Sequence, residues 1–360
     1  MTKSDSAFSQ KEIPIDTSNW FINAQSYVLE NFKGKDAIYL QNGRIHLKDE
    51  KFLDGTIEFD VFLTERQSFP GVFFRQVQNH AEAFFLRPHL SGKPDANQGS
   101  PIVNGIQAFQ LYFGEPYSVA YEYNFSDWTH IKLVVNDMRA QAYFDYSETP
   151  NLSWDLVNQP KEGTISIGTS FAPMHFANIK IDRTKKELID FKVKGKREPV
   201  ANIIQKWKVS EKFDEELLSE PSKIEELAKT LKFDHTLSIV ENIAIDISQA
   251  HNRYDQVVKG NTVFAKVVID SDIEQLKLFD FGYSDRVVVI LNNKPIYRGN
   301  NKWRSRDYRY LGTIGFFDSV YLPLMKGENV LLLAVSEDFG GWLASGKFGN
   351  MNNITIKEED

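Results

Sequence analysis

The sequence predicts an all-β protein made of two β-sandwich (jelly-roll) domains joined by a short helix-containing bridge. Apolar and polar residues alternate in many short runs that no helical pattern separates, which is typical of antiparallel sandwiches. The chain contains 27 Phe and 14 Tyr, and aromatic residues favour strands. Its 360 residues exceed the size of one ordinary core, so two domains are expected.

The pattern divides the chain into four segments. The first is a terminus that we expect to be disordered or extended, and the second and fourth carry the two series of strand-like runs. The third is charged, contains the single clear helical pattern and would bridge the domains. These segments are residues 1–19, 20–183, 184–235 and 236–360.

Two stretches of the first half show how the strands are expected to run. Asn42-Gly43 lies between two short strand-like runs and predicts a β-hairpin. In GTIEFDVFL (55–63), Ile57 and alternate residues after it fall on one face, while Glu58 and Asp60 fall on the other.

The bridge contains the helix, near residues 222–232. Ser222 and Glu225 match the S-x-x-E capping box. Ile224, Leu227 and Leu231 follow helical spacing and predict an apolar stripe that packs on one of the domains.

Composition and charge exclude several classes of protein. The net charge of −7 argues against a nucleic-acid partner, which would favour a basic surface. The absence of cysteine excludes disulfides, thiol catalysis and cysteine-ligated zinc. The apolar runs have strand length, so no membrane span is expected. The oligomeric state is not predicted.

The compartment also stays open. The N-terminal MTKSDSAFSQKEIPID lacks the apolar core of a signal peptide. The protein would be secreted or periplasmic if a signal had been removed, and cytoplasmic otherwise.

The second half resembles the galactose-binding-like jelly roll, a small sandwich appended to many sugar-cleaving enzymes. The resemblance rests on the hairpin VVILNNK (288–294) and on the strand-turn-strand LPLMKGENVL (322–331). The hairpin has Asn293 where the fold usually has glycine, and Asn also tolerates a left-handed backbone.

The first half resembles the concanavalin A-like sandwich of laminin-G domains and glucanases, over roughly residues 35–183. The matching stretches are GTIEFDV (55–61), GVFFR (71–75) and WTHIKLVV (128–135). This superfamily includes sugar binders, protein binders and glycoside hydrolases, so the resemblance alone does not fix a function.

Glu58 and Asp60 are the residues that a glycosidase of this fold would use. Glucanases of the family carry E-x-D-x-x-E on one strand, but the last position is Leu63 here. Because retaining hydrolysis needs two carboxyl groups, we assign no catalytic residue and expect Glu58 and Asp60 to pair with Lys or Arg.

A long Gly- and Pro-rich loop (84–114) contributes the first set of ligand-binding candidates. Arginine, histidine and amide groups suit hydroxyl recognition, and tyrosine offers a stacking face. The alternative is a loop held by its own hydrogen bonds. The candidates, with one from the preceding strand, are Arg75, Arg87, His89, Asp95, Gln107 and Tyr112. The loop matches no metal motif. No cofactor is indicated, and a structural calcium ion stays open without a motif that points to it.

The stretch NKWRSRDYRYLG (301–312) contributes the second set. Trp303 and Arg304 combine a flat ring with a forked donor, and Trp342 follows the flexible pair Gly340-Gly341. The alternative is a loop brace in which Arg306 pairs with an acid, such as Asp307, Asp318 or Asp285.

Taken together, these patterns favour a non-catalytic carbohydrate-binding protein, accessory to polysaccharide degradation, with a carbohydrate ligand as its partner. One alternative is a glycoside hydrolase or lyase with its site in the first sandwich, around Glu58, Asp60, Arg87 and His89. The second alternative is a structural or protein-interaction module. The sugar is not predicted.

Overall fold

The computed structural model describes residues 11–255 and 259–357. These residues form two units. The first comprises residues 11–102 and 112–196, and the second comprises 103–111 together with the described residues from Arg197 onward. The predicted bridge (184–235) is therefore not a separate segment, since most of it belongs to the second unit.

The secondary structure is almost entirely strand. The first thirteen strands are β1 Lys11–Glu12, β2 Trp20–Phe32, β3 Lys35–Leu47, β4 Gly55–Phe62, β5 Gly71–Val77, β6 His80–Leu86, β7 Asn97–Val103, β8 Ile106–Gln107, β9 Trp128–Asn136, β10 Arg139–Phe144, β11 Leu152–Asp155, β12 Thr164–Thr169 and β13 Met174–Asp182.

A short 3-10 helix, Pro88–Leu90, lies between β6 and β7. The later elements of the described residues include one α-helix, α1 Pro221–Thr230, and the 3-10 helices Glu215–Ser219 and Ile247–Gln249. The strands are β14 Lys206–Val209, β15 His235–Ser238, β16 Ile245–Asp246, β17 Thr262–Ser271, β18 Gln275–Ser284, β19 Arg286–Leu291, β20 Lys294–Asn300, β21 Asp318–Leu324, β22 Gly327–Ser336, β23 Leu343–Phe348 and β24 Ile354–Lys357. The predicted all-β class is confirmed.

The first unit is an antiparallel sandwich in which β3 belongs to both sheets. The strand order is β11-β10-β9-β4-β13-β3-β12-β5-β6-β7. Residues 37–40 of β3 pair with β13 and residues 43–46 pair with β12, while β2 runs along the opposite edge of β3. The core is apolar: Ile57, Phe59 and Val61 of β4 are fully buried, as the alternation predicts.

Asn42-Gly43 does not form the predicted hairpin, because β3 passes straight through it. Asn42 has a φ of 42°, and a Cβ on Gly43 would lie 2.3 Å from the backbone of Ala24 on β2. The pair therefore marks a bend where β3 crosses between the sheets. The turn lies instead at Lys33-Gly34, where β2 meets β3.

The N-terminus, for which we expected a disordered or extended chain, is only partly described, since residues 1–10 lie outside the described residues. Its remaining part, 11–19, begins with an extended strand and contacts the first unit. β1 pairs with β13, Ile13 is buried, and the Trp20 indole donates to the Pro14 carbonyl at 3.1 Å.

The second unit is a sandwich of a large sheet and a small sheet. The large sheet has the order β15-β14-β17-β22-β19-β20, with β24 also on β17, and the small one is β16-β23-β18-β21. Between them lies an apolar core that includes Trp207, Phe279, Phe281 and Trp342. The β19–β20 turn uses Asn292 and Asn293, both with positive φ, as predicted.

Helix α1 packs within this second unit. Ile224 is fully buried in a cluster with Phe264, Val288 and Leu332, and the partly buried Leu227 and Leu231 pack against the cluster. The predicted apolar stripe is confirmed. The predicted capping box is wrong: Glu220 is the N-cap without a side-chain cap bond, and Glu225 instead pairs with Lys229.

Candidate functional site

Strands β4 and β9 present a row of polar and aromatic side chains on the sheet face opposite the core. Their register places Asp60 opposite His130, and Phe62 opposite Trp128. Alternate residues of β4 enter the core, so Glu58, Asp60 and Phe62 share the outer face. We call this surface the Asp60 face; it consists of Lys35, Glu58, Asp60, Phe62, Trp128, His130, Tyr146 and Asn178.

Asp60 is the hub of this face. Its carboxylate accepts from Lys35 Nζ at 2.7 Å, from His130 Nδ1 at 2.7 Å and from Asn178 Nδ2 at 2.6 Å. Burial opposes ionisation of Asp60, but the hydrogen bonds from His130, Lys35 and Asn178 outweigh it and hold its pKa below the ordinary value. Asp60 is therefore a charged acceptor that organises three side chains.

His130 lies between two carboxylates and under an aromatic ring. Its Nε2 is 3.6 Å from a Glu58 oxygen, and its ring stacks on Tyr146 with centroids 4.0 Å apart. Asp145 fixes this arrangement, since its carboxylate accepts from the His130 backbone N–H at 2.9 Å. Asp145 and Tyr146 both have positive φ, which turns the chain back over the imidazole. Burial raises the pKa of Tyr146, and the nearby carboxylates of Asp60, Glu58 and Asp145 raise it further.

Further aromatic rings border the network. Phe62 and Trp128 meet edge to face at 5.8 Å, and Lys35 Nζ lies 5.0 Å from the Trp128 ring centroid. Phe32 of β2 stacks on His175 of β13 at 3.7 Å. The half-buried Trp128 and the 72% exposed Tyr146 flank the Asp60–His130 pair with flat apolar surface.

Four of the predicted ligand-binding residues are buried and serve the scaffold. The Arg75 guanidinium donates hydrogen bonds to the carbonyl oxygens of Leu53 and Asp137 and to the carboxylate of Asp54. Arg87 and Asp95 form an ion pair at 2.6 Å with both side chains about 2% exposed. Tyr112 is 1% exposed and packs edge-on against Tyr117. The predicted roles of these four in surface recognition are wrong. The alternative of a loop held by its own hydrogen bonds fits Arg87 and Asp95, whereas Arg75 lies on β5 and bonds outside that loop.

His89 and Gln107 are half-buried, and neither belongs to the Asp60 face. Among the described residues, neither ring nitrogen of His89 has a hydrogen-bond partner, and the ring packs edge-on against Phe69. Burial, assisted by Arg87 and Lys93, lowers the pKa of His89. Gln107 belongs to β8 in the second unit.

In the second unit, Trp303 and Arg304 are exposed while Trp342 is not. Trp303 is 72% exposed, has a φ of 59°, and lies 5.2 Å from the exposed Phe339 ring. Trp342 is fully buried and its indole donates to Val335 O at 3.0 Å. The prediction of ligand contact is therefore wrong for Trp342, whereas Trp303 and Arg304 form a second accessible surface.

The neighbouring loop is braced as the alternative interpretation expects. Arg306 pairs with Asp318 at 3.3 Å and donates to Phe317 O at 2.7 Å. Asp307 pairs with Arg309 at 2.8 Å. Arg306 is exposed rather than buried, so this brace is a surface pair of small energetic value.

Three further features bear on possible functions. Across residues 11–255 and 259–357, no cluster of three His, Asp or Glu side chains suits a metal ion. Within the same ranges, no helix is both long and apolar enough to cross a membrane. An open cavity of about 360 Å³ in the second unit lies beside Lys206, Lys208, Lys266 and Ile356, and Trp207 contributes to its lining.

Sequence reasoning missed most of the Asp60 face. Glu58 and Asp60 were singled out, but Lys35, His130, Tyr146 and Asn178 come from four other places in the chain. The one available signal was WTHIK, whose alternate residues Trp128, His130 and Lys132 would share a strand face. Only the strand order reveals that this face adjoins that of Glu58 and Asp60.

No protein-family model matches this sequence, and no curated protein matches it significantly. Solved structures show a weak similarity. They include the carbohydrate-binding module CBM66 from Bacillus subtilis (15% identity, 46% of this chain and 96% of that chain, TM-score 0.34). Others are SCLam, a family GH16 endo-β-1,3(4)-glucanase (7%, 48% and 89%, TM-score 0.36), and a laminarinase from Flavobacterium sp. UMI-01 (10%, 48% and 98%, TM-score 0.37). These values assign no function to the chain.

Proposed function

We propose that this chain is a non-catalytic carbohydrate-binding protein whose ligand lies on the Asp60 face of the first unit. The observation that carries the proposal is the Asp60–His130 pair on adjacent strands, bordered by the flat rings of Trp128 and Tyr146. Sugars offer an apolar C–H face and a ring of hydroxyl groups, and this surface offers a partner for each.

The residues of the Asp60 face have different roles in the proposed binding. Tyr146 is exposed and held parallel to His130, so its outer surface can stack on a pyranose ring. Glu58, with 18% of its side chain exposed, can accept a hydrogen bond from a sugar hydroxyl. Asp60 acts indirectly, because it positions Lys35, His130 and Asn178. All of these lie on or beside strands, which keeps the surface rigid.

The same geometry favours binding over glycoside hydrolysis. Both Asp60 oxygens already accept hydrogen bonds, Oδ1 from the His130 ring and Oδ2 from Lys35 and Asn178. The lowered pKa of Asp60 also disfavours the protonated form that a general acid requires. Leu63, at the position where related glucanases carry the third acidic residue, is fully buried. Incubation with β-glucans should therefore release no reducing ends, and turnover that Glu58→Gln abolishes would contradict this assignment.

A glycan array on the intact chain, followed by calorimetric titration of the best ligand, tests the proposal. Tyr146→Ala and Trp128→Ala should each weaken binding at least tenfold, which corresponds to about 1.4 kcal/mol of lost stacking. Tyr321→Ala is the matched control, since Tyr321 is also an exposed tyrosine (63%) and lies in the second unit.

The result that overturns the proposal is equally specific. Full affinity in both Tyr146→Ala and Trp128→Ala, with an unchanged fold by circular dichroism, would exclude the Asp60 face. Loss of binding in Trp303→Ala alone would move the site to the second unit.

A further inference from the structure

Strand β2 is a long edge strand. It has thirteen residues and pairs antiparallel with β3 along its whole length, from Trp20 opposite Leu47 to Phe32 opposite Lys35. Within residues 11–255 and 259–357, no other strand pairs with it. In an antiparallel pair, every second residue directs its N–H and C=O away from its partner. One side of β2 therefore presents a row of backbone donors and acceptors.

The other sheet edges of this protein are short or protected. β11, β15 and β24 have four residues each, and β16 has two. The longer edge strands β20 and β21 contain Pro295 and Pro323. Short length and proline are the usual means by which proteins prevent edge-to-edge pairing.

β2 has neither of these protections. Its sequence WFINAQSYVLENF contains no proline, lysine or arginine. Its single charged residue, Glu30, accepts from His175 of its own unit at 3.0 Å. Residues 25–31 are all exposed, and Val28 and Leu29, on opposite faces, are 50% and 43% exposed. A long, exposed edge with a single charge and no proline favours strand pairing.

We propose that β2 is a homodimer interface, in which it pairs antiparallel with β2 of a second copy of this chain. Antiparallel pairing of a strand with itself is symmetric, so donors meet acceptors on both copies. A twofold axis near Ser26 would set Val28 opposite Ala24 and Glu30 opposite Ile22 of the second copy. No like charges meet in this register. The near-neutral strand thus complements itself.

The dimer has a functional consequence that rests on the proposed carbohydrate site. Phe32 of β2 stacks on His175 of β13, so β2 borders the sheet that carries the Asp60 face. A twofold axis perpendicular to an antiparallel pair keeps equivalent faces on the same side. The two Asp60 faces would then form one surface, and a polymer that reaches both would gain avidity.

Sedimentation equilibrium of the full chain tests the interface without any ligand. We expect a monomer–dimer equilibrium, and at least tenfold weaker dimerisation in the double variant Val28→Lys/Leu29→Lys, because lysine then replaces the exposed apolar side chain on each face of the seam, as on naturally protected edge strands. The matched control is Leu276→Lys/Met325→Lys, which changes two exposed apolar residues (68% and 55%) away from β2. A wild-type monomer at all concentrations overturns the proposal, as does a dimer that the β2 variant leaves intact.

The absence of cysteine allows a second test that remains informative if the charged variant misfolds. Single cysteines at positions 24 to 28 should give an oxidised covalent dimer only where the two Cβ atoms approach within about 4.5 Å across the axis. Ser305→Cys, exposed and in the second unit, is the control. Equal cross-linking at Ser305, or none at any β2 position, contradicts the pairing. Failure of the carbohydrate proposal would leave both results unchanged.

Discussion

At the scale of single residues, Asp60 is a buried charge that organises the surface proposed to bind carbohydrate. It is 1% exposed, yet it accepts from Lys35, His130 and Asn178. Such a carboxylate fixes rotamers on three strands at once and leaves the outer surfaces of the rings for a ligand.

We predict that Asp60→Asn lowers the free energy of unfolding by roughly 1.5–3 kcal/mol, because charge-assisted hydrogen bonds have about that value. The pKa of Asp60 is lowered on folding, so its stabilising contribution is present above the unfolded pKa and is lost as pH falls through the folded value. Urea titrations at pH 7 and pH 3 check both points. A variant as stable as the wild type at pH 7 would contradict the role of Asp60; Asp36→Asn, at an exposed site, is the control.

Glu82 gives a prediction of opposite sign. It is buried and accepts from the Val157 and Asn158 backbone N–H groups at 3.1 and 2.7 Å. Burial raises its pKa to about 7. The protonated form thus stabilises the fold, and that contribution is lost as pH rises from the unfolded pKa toward about 7.

Glu82→Gln retains an acceptor oxygen but cannot ionise. The wild type should lose about 3 kcal/mol of unfolding free energy between pH 4.5 and 8, and Glu82→Gln should not. Urea unfolding across that range measures the difference. Glu65→Gln, at an exposed site, should leave the pH profile unchanged. An identical profile for Glu82→Gln and wild type would show that Glu82 is not the group responsible.

Residue chemistry alone predicted polar candidates but not their burial. Arg87, Asp95 and Tyr112 have the chemistry of sugar recognition, yet tertiary packing places them inside the first unit. Only Trp303 and Arg304 of the second set are accessible. The local sequence gives the chemical type of each side chain, whereas the exposure of that side chain depends on which distant strands cover it.

At the scale of elements, the periodic patterns were reliable, whereas of the two Asn-based turn signals the one at Asn292-Asn293 was correct and the one at Asn42-Gly43 was not. The alternation in β4 and the stripe of α1 both depend on many residues, and both are confirmed. Asn42-Gly43 depends on two residues, and its left-handed backbone served a bend within β3 rather than a hairpin. A positive φ is compatible with either use.

Helix α1 supports a prediction at this scale. Ile224 is fully buried against Leu218, Phe264 and Ile290, so Ile224→Ala should cost about 2–5 kcal/mol through lost burial and a cavity. Thermal unfolding followed by circular dichroism measures it. Glu226→Ala on the exposed face of the same helix should stay within about 0.5 kcal/mol. Equal melting of both variants would mean that α1 does not pack as described.

At the scale of the whole molecule, the sequence predicted two sandwiches but not their limits. The chain divides near Lys196–Arg197, and residues 103–111 leave the first unit to join the second. The local composition does not indicate that residues 103–111 belong to the second unit, because Ile106 and Ala108 are as apolar as strand residues of either unit. The likeness of the second unit to galactose-binding-like domains stays a prediction from its hairpins.

The proposed site makes the Asp60 face necessary for carbohydrate binding and the Trp303 surface of the second unit dispensable. The most direct measurement is calorimetric titration of one array-selected glycan into the full chain and into Tyr146→Ala/Trp128→Ala and Trp303→Ala. We predict that the double variant loses at least about 2.8 kcal/mol of binding free energy, a hundredfold in Kd, while Trp303→Ala binds as the wild type does. Undiminished binding by the folded double variant would contradict the account.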